Sequence, residues 1–134
     1  MLLKILFEGE FQIMGVVDGG GCEAENFLES GSSDTQASRE GLVAILEHVA
    51  QRGLQNVPLA WVHEANKAKR IYEFRKGDLR LFFFKGNGSQ IAICTGGVLK
   101  KGQKADKGAV NRAVAMKNMY VEAVQRQTIE VVND

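Results

Sequence analysis

Within the run Leu79-Arg80-Leu81-Phe82-Phe83-Phe84, a single guanidinium interrupts an otherwise apolar stretch. Strand alternation places Arg80 on the face it shares with Phe82 and Phe84. A charge in that setting must meet an anion or reach solvent, because an isolated buried ion is too costly. A phosphate would serve, and so would a carboxylate such as Glu73 on the neighbouring strand. Downstream, Lys100, Lys101, Lys104 and Lys107 make the densest charge run of the chain. Such a run is either a solvated loop or a segment that grips phosphate. Lys67, Lys69, Arg70 and Arg75 supply a third basic stretch ahead of Arg80.

The overall charge of +1 conceals this asymmetry. Residues 67–112 carry twelve Lys/Arg against three Asp/Glu, whereas residues 1–66 carry three against ten. A clustered basic face points to a polyanionic partner even when the net charge is small. The expectation is that Lys67–Arg70, Arg75–Arg80 and Lys100–Lys107 converge on one phosphate-binding surface.

Other catalytic constellations are missing. His48 falls within an amphipathic helical pattern and reads as a surface residue, and His63 is the second of two histidines. There is no HExxH, no Cys/His metal spacing and no paired-carboxylate signature. Cys22 and Cys94 are too few for a disulfide framework and lie in no CxxC pair. Cys94, after Ala92 and Ile93, reads as a small buried hydrophobe. The Gly19-Gly20-Gly21 run lacks the Walker Lys-Ser/Thr and the dinucleotide spacing, and acidic neighbours surround it, so it reads as a connector. Any chemistry would rest on cations, with neither metal nor cofactor.

The elements that must position these residues follow from periodicity. Leu2–Phe7 and Phe11–Val17 read as strands, and Glu23–Glu29 as a short helix. Ser33 and Gln36 have capping-box spacing for a helix that runs to about Gln51 and stops at Gly53, with Leu42, Ile45, Leu46 and Val49 as its stripe. Ala60–Ala68 reads as a further helical or turn segment. Arg70–Arg75, Leu79–Lys85 and Gln90–Thr95 then form an antiparallel meander, with Asn87-Gly88 as a hairpin cue. Asp106 is placed to cap a last helix from about Lys107 to Gln127, whose stripe is Ala109, Ala113, Met116, Tyr120 and Ala123. The chain of 134 residues is thus expected to be one domain of α+β class, with helices on one face of a small antiparallel sheet and basic residues framing the other. With no apolar run near the ~20 residues of a membrane span and no secretory leader, a cytoplasmic location is expected.

Ile71-Tyr72-Glu73-Phe74-Arg75, Leu79–Phe84, Ile91–Cys94 and Lys100-Lys101-Gly102-Gln103-Lys104, followed by a helix with Ala113, together resemble the HigB-like, phage-derived branch of the RelE/ParE toxins. The likeness covers roughly residues 20–125, and its most specific piece is the Lys-Lys-x-Gln-Lys motif after the meander. It differs at Thr95-Gly96-Gly97-Val98, where the family often has His-Gly-Phe, at Gly102 for Thr, and at Asp106 for Pro. Val110 stands near the position of the catalytic tyrosine of the RelE branch.

The resemblance implies a type II toxin, neutralised by an antitoxin of helix-turn-helix type, that cleaves mRNA on the ribosome. The mechanism would be metal-free attack of a 2′-hydroxyl on the adjacent phosphate. Arg80 would brace the scissile phosphate, with Lys100, Lys101 and Lys104 beside it. One of these lysines, or His63, would serve as the base. Lys67, Lys69, Arg70, Arg75 and Lys107 would hold RNA. The ParE branch implies a rival, non-enzymatic inhibition of DNA gyrase. A degenerate phage-derived protein that binds RNA or a partner without cleavage is a third reading.

Overall fold

The computed structural model describes residues 1–55, 57–88, 90–102 and 104–133. Eight strands form one open sheet: β1 (Leu2–Glu8), β2 (Gln12–Asp18), β3 (Gly21–Cys22), β4 (Val62–Asn66), β5 (Ile71–Lys76), β6 (Leu79–Lys85), β7 (Ile91–Leu99) and β8 (Glu130–Val132). The order is β4-β5-β6-β7-β2-β1-β8, with β3 paired to β2. Neighbours are antiparallel except β2–β7 and β1–β8. The helices are α1 (Glu23–Glu29), α2 (Gln36–Arg52) and α3 (Lys107–Arg126).

Local chemistry accounts for the turns. Gly19 and Gly20 both have positive φ, 60° and 84°, which lets Asp18 pair with Gly21 across a two-residue reversal. The Gly19–Gly21 run thus forms the tight reversal from β2 into β3. Gly77 at φ 57° supplies the same freedom between β5 and β6. The Asn87-Gly88 loop differs from expectation: Gly88 has positive φ and Asn87 does not, so this is no two-residue primed turn. The amide of Gly86 still closes the hairpin on the Ile91 carbonyl at 2.8 Å.

The main correction concerns layering. Helices cover both faces of the sheet, not one. Leu79, Leu81 and Phe83 of β6 join Phe74 and the α2 residues Leu42, Ile45, Leu46 and Val49 in one core. Phe82 and Phe84 point the other way and pack with Ile71, Ile93 and the α3 residues Ala109, Val110, Ala113 and Tyr120. A strand buried on both faces needs apolar residues at successive positions, and Leu81-Phe82-Phe83-Phe84 supplies them. Among the described residues there is no open sheet face framed by basic residues.

Other boundaries also shift. Within Ala60–Ala68 the chain forms edge strand β4, because Val62, His63 and Glu64 find ladder partners in Phe74, Glu73 and Tyr72. Ser33 makes no capping box. It lies in a 3-10 turn, Ser33–Thr35, and Thr35 precedes α2 without a side-chain cap. Asp106 does cap α3, its Oδ1 accepting from the Ala109 amide at 3.0 Å. Strand β7 runs on to Leu99, with a bulge that shifts register between Phe82 and Phe83. On β7, Gly97 lies under the Phe27 ring and Gly96 under the Glu23 carboxylate, so α1 seats closely on the strand. That contact is a physical reason for glycines where the resembled family has His-Gly-Phe.

Candidate functional site

The β5–β6 turn and the β7–α3 connection meet at one end of the sheet, and Arg80 joins them. Its Nη1 donates to the carbonyls of Gly77 at 2.7 Å and Leu79 at 3.0 Å. Its Nη2 donates to the Gly102 carbonyl at 3.1 Å. The Lys100 amide adds a backbone bond to the Asp78 carbonyl at 2.7 Å. Arg80 is thus a staple. Only 6% of it is exposed, and its donors are directed at carbonyls rather than at an open site.

Glu73 is not the partner of Arg80. Its Oε1 accepts from Arg75 Nε at 2.6 Å and forms an ion pair with Arg75 Nη2. Arg75 and Arg80 stand directly opposite each other across β5 and β6. Burial, and next the Arg75 charge, pull the Arg80 pKa below its ordinary value, while Glu73 and Asp78 oppose the shift. Glu73 is fully buried, and its Oε2 has no hydrogen-bond partner among the described residues. One carboxylate thereby sits beside two guanidiniums in a desolvated row.

The lysines of the connection are placed differently. Lys100 is half-buried, whereas Lys101, Lys104 and Lys107 are exposed around the loop that Arg80 holds. Gln103 of the Lys-Lys-x-Gln-Lys motif lies outside the described residues. His63 stands opposite Glu73 and so on the same sheet face, with Nε2 3.3 Å from the Ala60 carbonyl. His63 is therefore near the buried row but on an edge strand, apart from the lysine loop.

The expected convergence of three basic segments does not occur. Arg75, Arg80 and Lys100–Lys107 share one end of the sheet. Lys67, Lys69 and Arg70 lie at the β4–β5 turn, at the other end of β5. Arg75 lies five positions after Arg70 along the strand, about 17 Å at the usual rise. The basic region is split into two patches. The segments are adjacent in sequence because β5 carries the chain across the whole sheet.

Two residues have roles that the sequence reading misses. Glu73 enters it as a partner for Arg80, not as the carboxylate of Arg75; alternation within Glu73-Phe74-Arg75 puts both on one face and is the signal for the pair. Lys117 lies on the inward stripe of α3, four residues after Ala113 and three before Tyr120, a spacing visible in the sequence. Its Nζ donates to the Lys69 carbonyl at 2.7 Å, which brings it to the second basic patch.

The remaining candidates read as structure. Cys94 is fully buried, and burial pushes its thiol far above the ordinary range; Cys22 is raised for the same reason. His48 is half-buried and meets the Trp61 ring edge-to-face at 5.2 Å, rather than standing free in solvent. Tyr120 is core, and its hydroxyl accepts from the Asn87 amide at 2.8 Å. No group of His, Cys, Asp and Glu among the described residues is arranged to hold a metal. No helix is long and apolar enough to cross a membrane among the described residues.

The fold and site define an α+β domain whose Arg80-stapled loop presents lysines at one end of the sheet. Neither a family model nor a curated protein sequence matches this chain.

Proposed function

We propose that this chain is the toxin of a type II toxin–antitoxin pair, a RelE/ParE-like, HigB-like protein that engages mRNA on the ribosome and cleaves it. The supporting observation is the exposed Lys101 and Lys104 on a loop held to the sheet by a buried arginine, with Lys107 exposed at the start of α3. Positioned cations of that kind neutralise phosphates and stabilise charge as it builds on a phosphorane. The geometry changes the role assigned to Arg80: it positions the loop, and the lysines meet the RNA. The RNA's own 2′-hydroxyl would attack the adjacent phosphorus and break the bond to the 5′-oxygen. A loop lysine would take the 2′-hydroxyl proton and the departing 5′-oxygen would be protonated in turn, so the protein's tasks are alignment, proton transfer and charge stabilisation. An antitoxin that masks the loop with carboxylates would imitate the RNA.

A second reading has its own support. With Arg80 committed to three carbonyls, its guanidinium is not directed at a phosphate, which suits a protein that binds RNA without cutting it. Inducible expression in cells, with growth followed and mRNA ends mapped, separates the cases. The toxin reading requires growth arrest and new ends within translated regions. Arrest with intact mRNA and lost supercoiling would move the assignment to gyrase inhibition. RNA binding without new ends would select the non-cleaving form.

A further inference from the structure

We infer that Lys117, Lys69 and Arg70 form a second phosphate-binding site for single-stranded RNA, separate from the Lys100–Lys107 loop. The inference rests on the RNA-binding reading above and extends it to the opposite end of the sheet.

Ala113, Met116, Lys117 and Tyr120 follow the i, i+3, i+4, i+7 spacing of a buried face, and Lys117 is the charged member. It is half-buried, and its ammonium emerges at the β4–β5 turn on the Lys69 carbonyl. An apolar residue would fill this position with no charge to desolvate.

The Lys69 carbonyl is the one acceptor for that ammonium among the described residues, and the neighbouring side chains add to the cost. Burial lowers the Lys117 pKa, and the charges of Arg70 and Lys69 lower it further, with no carboxylate among the described residues acting in the other direction. Arg70 also occupies the left-handed region at φ 56°, where Gly or Asn would be less strained. The turn is fixed by the Lys69 amide, which donates to Asn66 Oδ1 at 3.0 Å. Two cations, Lys69 and Arg70, therefore stand on a set turn, and the helix lysine Lys117 is brought to them as the third. A cluster of like charges with a desolvated member is stabilised by an anion that bridges them.

The choice of RNA follows from spacing. Ten residues of α3 separate Lys107 from Lys117, about 15 Å along the helix. An extended strand gripped at the lysine loop can reach the second patch once it is several nucleotides long. Sites for single strands run to about 4–16 nucleotides.

The test uses the full-length protein, the Lys117→Met variant, and single-stranded RNA of about 4 and about 12 nucleotides. Methionine keeps the stem and removes the charge. We expect Lys117→Met to melt no lower than wild type and to lose affinity for the longer RNA by a larger factor than for the short one, since only the longer RNA can span both patches. Its salt slope on the longer RNA should fall by about 0.7 for each phosphate that is no longer neutralised. A lower melting temperature with unchanged affinity for the longer RNA would make Lys117 a structural residue and overturn the inference.

Inorganic phosphate, titrated against the amide signals of Lys69, Arg70 and Lys117, separates this inference from the reading beneath it. Saturable shifts there without binding of either RNA would retain an anion site but overturn its assignment to RNA, along with the RNA-binding reading. RNA binding that leaves these three signals unmoved would overturn the second site alone. Shifts caused only by an acidic protein would also overturn it.

Discussion

The two faces of the sheet are built from different chemistry. On the α2 side the buried cluster gathers Leu42, Ile45, Leu46 and Val49 against Phe74 and Phe83, the two rings stacked at 4.1 Å between centroids. On the α3 side an apolar core is bordered by Glu73, Arg75 and Arg80 at one end and Lys117 at the other. Charges are costly to desolvate, and here Arg80 is met by three carbonyls and Arg75 by Glu73, so part of that cost goes into holding the loop. On the proposal above, the α2 face is support and the α3 face is the side that would meet RNA.

The sharpest way to break this comparison is on the supporting face. Phe83→Ala should cost about 3–5 kcal/mol, because the ring is fully buried and stacked. Whatever fraction remains folded should bind RNA with wild-type affinity. If affinity falls with the site residues intact, the two faces are not separable.

Arg80→Ala comes next. It leaves the Gly77 and Gly102 carbonyls without their charged donor and should cost about 2–3 kcal/mol, as for other charge-assisted bonds. It should also release the lysine loop and weaken RNA binding. A mutant that keeps its melting temperature but loses binding would show that Arg80 contacts phosphate itself.

A smaller effect tests how α3 is seated. Asp106→Ala removes the side-chain cap on the Ala109 amide and should lower stability by about 1 kcal/mol in thermal unfolding. Since Asp106 immediately precedes Lys107, RNA binding should tighten slightly as a nearby negative charge is removed. Weakened binding would instead mean that the loop depends on the cap.

Much of this fold is legible in the sequence. The meander, the two long helices, the Asp106 cap and the Gly53 stop come from period, capping chemistry and turn residues, which act locally. Strand β4 is not, because its residues 62–66 have no marked alternation and gain their ladder from β5. The two-sided core is written in Leu81-Phe82-Phe83-Phe84, yet placing Arg80, Phe82 and Phe84 on one face says nothing of what covers the other. In the site, residue types are visible while convergence is not: Lys69 and Lys100 belong to one basic stretch in sequence and to opposite ends of the sheet in space. Arg80 shows the same limit, since its partners are backbone carbonyls and no residue type announces them.

The claim that the Lys100–Lys107 end binds RNA is tested most directly by the salt dependence of single-stranded RNA binding. Wild type is compared with a variant in which Lys100, Lys101 and Lys104 are all replaced by glutamine. Each phosphate neutralised on a single strand contributes about 0.7 to the slope of log K against log salt. The triple variant should therefore have a slope lower by about 2 and weaker binding at low salt. An unchanged slope would mean that these lysines are a solvated loop, and would contradict the account at its centre.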